Sequence, residues 1–208
     1  KTFAFGIPMV EHIDPESDAV QALVLAPTRE LALQIQDELR DLCEFKEGVR
    51  SVCLYGGAPI EKQITTLKKH PQIVVATPGR LMDHMKRRTV KLDKVETVVL
   101  DEADRMLDMG FIHDVTRILD QIKSRKNLGL FSATISREVM DISWVYQRDP
   151  VEIVVRPDEE NKPDIQQYRI DLEGRGDKLE TMVALLTHGG YERAIAFCNT
   201  KNMTDRLS

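Results

Sequence analysis

Residues 97–104 read Thr-Val-Val-Leu-Asp-Glu-Ala-Asp, an apolar run closed by three carboxylates. An acid pair at the tip of a buried strand is an arrangement that can hold magnesium beside a nucleoside triphosphate and orient the attacking water. Asp101 is placed to hold the metal, partly through water, and Glu102 to polarise the hydrolytic water as general base. The small Ala103 lets the chain turn tightly into Asp104. Lys1-Thr2 matches the last two residues of the phosphate-cradling pattern G-x-x-x-x-G-K-[ST], whose glycines the sequence does not contain.

Two other segments share a second kind of chemistry. Pro27-Thr28-Arg29-Glu30-Leu31-Ala32 and Thr77-Pro78-Gly79-Arg80-Leu81 each follow a short apolar run. Thr28 and Thr77 are expected to cap the helices that follow, with Pro78 in the first turn and Gly79 leaving room for a ligand. Each helix start presents free backbone N–H groups and a positive dipole end, which suits phosphate. Arg29 and Arg80 add a planar donor fork beside each. Either segment alone reads as plain capping; two on one edge point to a polyphosphate track. Gly56-Gly57 reads as a turn or as a close approach to a sugar-phosphate backbone. Ser132-Ala133-Thr134 alone is a helix cap, yet it follows a strand expected beside the acid-bearing one, where its hydroxyls could bond Asp104 and sense bound nucleotide.

The elements that must position these groups alternate between short β-rich runs and longer helical ones, the pattern of a parallel sheet covered by helices. Strands are expected at 22–26, 51–55, 73–76, 97–100 and 128–132. They are near-continuous apolar runs, as strands buried on both faces should be. Leu31, Ile35, Leu39 and Leu42 form one helical stripe, and Val115, Ile118, Leu119 and Ile122 another. Ligands of such sheets gather beyond the carboxyl ends of the strands, so four motif-bearing loops are expected to share that edge.

A polar, acidic run between Pro157 and Pro163 reads as a linker at 156–165, dividing a domain at 1–155 from the start of a second at 166–208. In the second, strands are expected at 166–172 and 193–197 around a helix from about Lys178 to Leu186. Some forty residues are too few to close a core of that type, so this domain reads as truncated.

The totals bound the partners. The 208 residues are 42% hydrophobic and 30% charged, with net charge −5, which argues against a broad basic face wrapping nucleic acid. The longest apolar runs are too short to cross a bilayer. Cys43, Cys53 and Cys198 are scattered, with no C-x-x-C pair, and read as free thiols of a reducing, intracellular compartment; cytoplasm and nucleus are not distinguished.

Taken in order, Lys1-Thr2, the Pro27 to Ala32 string, Gly56-Gly57, Thr77 to Arg80, Asp101 to Asp104 and Ser132 to Thr134 resemble the first RecA-like domain of a DEAD-box ATP-dependent RNA helicase. Residues 196–200 are similar to the strand motif that opens the second such domain. The resemblance implies an α/β, P-loop NTPase fold with a parallel sheet flanked by helices. It implies ATP and Mg²⁺, with Lys1 on the β/γ-phosphates and Thr2 and Asp101 at the metal. It also implies single-stranded RNA, bound without base reading along Pro27, Thr28, Arg29, Gly57, Thr77, Pro78, Gly79 and Arg80. Asp104, Ser132 and Thr134 would couple nucleotide to duplex opening. Protein stimulators or ribonucleoprotein components are further implied partners.

The family's adenine-recognition segment and phosphate-loop glycines would precede Lys1. Its second-domain arginine finger, worth about 10³ to 10⁵ in rate, would follow Ser208. No meaningful ATP turnover is therefore expected of these 208 residues alone. The competing readings are a non-catalytic RNA-clamping or partner-docking module, and a related helicase acting on DNA.

Overall fold

The computed structural model describes residues 1–155, 165–172 and 177–207. The chain divides into two units, Lys1–Glu152 and Ile153–Ser208.

The first unit is built on five parallel strands, β1 (Ala22–Leu25), β2 (Ser51–Leu54), β3 (Ile73–Ala76), β4 (Thr97–Leu100) and β5 (Asn127–Leu130), in the order β2-β3-β1-β4-β5. The side chains of β1 and β3 are buried throughout, which accounts for their unbroken apolar spelling. Their register is level: Leu54, Ala76, Leu25, Leu100 and Leu130 form one row across the sheet. Three expected strands end earlier than the sequence suggests, because Ala26, Tyr55 and Ser132 lie past that row. Single bonds still tether the chain just beyond it: Ala26 N–H donates to the Ala76 carbonyl, Thr77 N–H to Leu54 and Asp101 N–H to Leu25.

Helices cover both faces. On one, α1 (Thr2–His12) and α2 (Arg29–Cys43) pack Phe5, Met9, Val10, Ile35 and Leu39 against Val24, Val75 and Val99. On the other, α4 (Pro78–Lys86), α5 (Ala103–Asp108), α6 (Ile112–Gln121) and α7 (Arg137–Tyr146) pack Leu81, Met106, Ile118 and Ile142 against Leu23, Leu54, Val98 and Leu100. Short α3 (Ile60–Leu67) flanks β2, and Leu67 packs on the same layer. The chain leaves β1 toward one face and β4 toward the other, although these strands are neighbours. The loops at their carboxyl ends therefore diverge and open a crevice between them.

Helix α1 has no counterpart among the elements read from the sequence. Gly6 and Pro8 lie inside it and weaken its signal. Gly6 permits the contact with α2: a Cβ there would come within 2.8 Å of Leu42 Cδ1.

In the second unit, α8 (Asp177–His188) matches the expected helix, and α9 (Lys201–Leu207) follows it. The expected strands differ. Among the described residues neither 166–172 nor 193–197 pairs in a sheet, and Tyr168, Ile195 and Phe197 stay exposed. A parallel strand needs neighbours on a packed face, and these two runs have none. Most of the expected linker, 156–164, lies outside the described residues.

Candidate nucleotide and nucleic-acid site

The acid pair sits where β4 ends. Asp101 is 3% exposed, and its Oδ1 accepts the Glu102 N–H at 2.9 Å. Among the described residues no protein donor bonds Oδ2. Burial pushes the Asp101 carboxyl up, against the Glu102 N–H and the Lys1 ammonium, which draw it down; the Glu102 charge adds to the upward push. A buried carboxylate so placed is stabilised by a cation.

Glu102 adopts the left-handed region, φ 48° and ψ 51°. That conformation is costly for a residue with a Cβ and is held by its surroundings: Asp101 N–H is tied to Leu25 and Ala103 N–H to Phe131. The Glu102 carboxylate is partly exposed and faces Arg105, Oε2 to Nη1 3.6 Å.

Lys1 is the N-cap of α1, and its charge reaches Asp101. Thr2 is buried in the first turn, and no hydrogen bond among the described residues joins its hydroxyl to either acid.

Asp104 is clasped by the loop after β5. Its Oδ2 accepts from the Thr134 hydroxyl at 2.7 Å and the Thr134 N–H at 2.9 Å, while its own N–H donates to Ser132 Oγ at 3.2 Å. Partial burial pushes the Asp104 carboxyl up, but the bonds from Thr134, Arg105 and Ser132 together outweigh it and hold the group down at about 2.

The loops after β1, β2 and β3 line the same carboxyl edge. Thr28 Oγ1 accepts from Leu31 N–H at 3.3 Å and caps α2 as expected. Thr77 stands at the N-cap of α4 but makes no side-chain cap. Pro78 fills the first helical position, and the Thr77 hydroxyl, which accepts from neither the Gly79 nor the Arg80 N–H, is left for another partner. Arg29 stacks its guanidinium 4.8 Å over the Tyr55 ring, and a Cβ on Gly57 would lie 3.7 Å from Arg29 Nη1. Gly57 has φ +79°, which explains a glycine there. A Cβ on Gly56 or Gly79 would meet nothing within 4 Å, so the space beside these residues is open to a ligand.

Arg80 differs from the expected free donor fork. Its side chain is 13% exposed. Nη1 donates to the Ala58 carbonyl at 2.9 Å and to Gln63 Oε1 at 3.1 Å, and Nε faces Asp83 at 4.0 Å. The sequence reading passed over Gln63, Tyr55 and His84, which join this edge. Their single signal in the sequence was proximity: Gln63 lies six residues after Gly57 and His84 four after Arg80.

Comparison with known proteins shows the family. The family model for DEAD/DEAH box helicases matches residues 1–142. The chain is 45% identical over its full length to the DEAD-box ATP-dependent RNA helicase CshA of Geobacillus kaustophilus, covering 44% of that protein, and 45% identical to the CshA of Bacillus subtilis, covering 42%. It thus spans less than half the length of these curated relatives. Among solved structures, a DEAD box protein from Methanococcus jannaschii aligns over 99% of this chain and 54% of its own, with TM-score 0.70 and 37% identity. A hypothetical ATP-dependent RNA helicase from Sulfolobus tokodaii aligns over 71% of this chain and 42% of its own, with TM-score 0.65 and 38% identity.

Proposed function

The chain belongs to the DEAD/DEAH box helicase family, and from that membership and the shared loop edge we propose that it forms the core of an ATP-dependent RNA helicase. ATP binding and hydrolysis would drive local opening of RNA duplexes or remodelling of RNA–protein complexes. One observation carries the reading: Asp101, Glu102, Asp104, Thr28, Gly57 and Thr77 all follow the level row at which five parallel strands end.

The residues fit a magnesium–nucleotide. Asp101, a buried residue, offers one carboxylate oxygen without a protein donor, a hard ligand suited to Mg²⁺. Asp101 and Thr2 would hold the ion, which when bound neutralises charge on the β- and γ-phosphate oxygens. Lys1 adds a cation beside Asp101. The Glu102 carboxylate takes the proton of the attacking water. For that it leaves Arg105, a loose ion pair at a partly exposed site that is easily given up. The Asp104–Thr134 clasp ties the helix after the acids to the loop after β5, so a shift at one is felt at the other.

RNA would be held by backbone phosphates along Thr28, Arg29, Gly57, Thr77, Pro78 and Gly79. Helix N-termini, open glycines and a free hydroxyl recognise phosphate and sugar rather than bases. Arg80 supports this edge from inside the protein. An intracellular setting fits the three free cysteines. Stimulatory protein partners belong to the same proposal through the family.

The test is Glu102→Gln in the full-length protein. Nucleotide affinity is expected to persist while steady-state phosphate release with saturating RNA falls at least about 100-fold. Equal phosphate release from variant and parent would remove Glu102 from the base role.

A further inference from the structure

A buried polar cluster links the loops after β2 and β3, and at its centre is the side-chain amide of Gln63. Gln63 is 7% exposed and His84 fully buried, in a setting where uncompensated polar groups are costly. Both carbonyls flanking Gly56-Gly57 are held by this cluster. Gln63 Nε2 donates to the Tyr55 carbonyl at 3.0 Å, and Arg80 Nη1 donates to the Ala58 carbonyl at 2.9 Å. The two anchors are bonded to each other, Arg80 Nη1 to Gln63 Oε1 at 3.1 Å, and His84 Nε2 adds a second contact to that oxygen at 3.1 Å. Thr89 Oγ1 closes the other ring nitrogen of His84 at 2.8 Å. With its oxygen taken by two donors, the Gln63 amide has one orientation that satisfies all partners, nitrogen toward Tyr55.

We infer that Gln63 is a positioning residue for RNA capture: it sets the spacing between the Gly57 turn and the Thr77–Gly79 helix start without touching the strand. Arg80 belongs to the α4 turn whose first residues face the edge and Gln63 to the start of α3, so the Gln63–Arg80 bond joins the helix starts that follow the two loops. Tyr55, held through its carbonyl, in turn carries the Arg29 guanidinium on its ring. All three loops proposed to meet one sugar-phosphate backbone are thus referenced to one amide. A grip on several phosphates of one strand depends on their spacing being right at once, and a supporting shell left loose forfeits it.

The inference rests on the RNA reading above, and the experiment separates the two. Full-length parent, Gln63→Leu and Gln63→Glu are titrated with fluorescein-labelled single-stranded RNA in the presence of a non-hydrolysable ATP analogue. Affinity for the analogue alone is measured in parallel. Leu removes all three contacts; Glu keeps the oxygens facing Arg80 and His84 but sets an acceptor against the Tyr55 carbonyl. Gln63→Leu is expected to weaken RNA capture about tenfold and Gln63→Glu by a smaller factor, with analogue affinity within about twofold of parent for both. A merely structural role would lower both affinities together or neither, and either pattern overturns the inference. If Gln63→Leu does not fold, Gln63→Glu carries the test, and parent-like RNA binding by it is the overturning result. Failure of the parent itself to bind RNA would instead overturn the RNA reading.

Discussion

Asp104 and Thr134 are thirty residues apart in the chain, yet two donors of Thr134 converge on one oxygen of Asp104 at 2.7 and 2.9 Å. The helix that follows the acid pair is therefore fastened to the loop of a neighbouring strand, not only to its own. Removing the hydroxyl by Thr134→Val leaves the N–H bond and costs about 1 kcal/mol at this exposed site. In the full-length protein, RNA-stimulated phosphate release is expected to stay within about threefold of parent while duplex unwinding falls about tenfold or more. Parallel ATPase and strand-displacement assays check the split, and equal losses in both would show that the clasp does not couple them.

The same clasp sets an acid limit. Held down at about 2, the Asp104 carboxyl lies below its unfolded range. Its contribution is complete above that range and is lost as pH falls from about 4 toward 2. A ¹³C titration of the Asp104 carboxyl is expected to show the low midpoint in the parent and an upward move in Thr134→Val. An unchanged midpoint would assign the shift to other neighbours.

His84 acts at milder pH. Burial lowers its imidazole, the nearby Arg80 and Arg87 charges lower it further, and Asp83 opposes them. The folded protein thus resists a proton that the unfolded chain accepts below about 6.5. Stability is present above that pH and declines as pH falls below it. Urea midpoints measured from pH 7.5 to 5 are expected to drop in the parent and to drop less in His84→Leu, whose midpoint at pH 7.5 is itself lower for loss of the Thr89 and Gln63 contacts. Equal slopes would exclude His84 as the source.

The two threonine-led helix starts differ energetically. Thr28→Ala removes a cap and is expected to cost about 1 kcal/mol. Thr77→Ala removes no cap bond and is expected to stay within about 0.5 kcal/mol of parent in chemical denaturation. If RNA binding falls in Thr77→Ala while stability holds, its free hydroxyl faces the ligand.

Burial pushes the Cys53 thiol up to about 12, with the Asp37 charge adding to it, and raises Cys43 as well. Since the thiolate is the reacting species, both are expected to resist iodoacetamide at pH 8 until denaturant is added, as mass mapping will show. Rapid labelling of Cys53 in the folded protein would contradict its placement.

The sheet was readable in the sequence because strands buried on both faces, such as 22–25 and 73–76, have no polar positions to blur them. The motif loops were readable because their residues follow those runs directly. Helix α1 was not: Gly6 and Pro8 mask the spacing of Phe5, Met9, Val10 and Ile13, and the reason for Gly6 lies in Leu42, thirty-six positions away. The internal use of Arg80 was hidden for a related reason. An arginine after a helix start spells a free donor, and only the arrival of α3 with Gln63 shows that its fork is engaged. At residues 166–172 and 193–197 the β-rich spelling describes a preference, and a preference forms a ladder only beside a packed neighbour.

All five strands finish abreast. Inserting one residue into any of them would invert every later side chain between the two apolar layers and push its loop out of line by about 3.3 Å. Length changes are therefore expected to be tolerated at the opposite end of the sheet, in connections such as 13–21, 44–50 and 87–96. The evenness of that edge fixes each motif by its count from the end of its own strand.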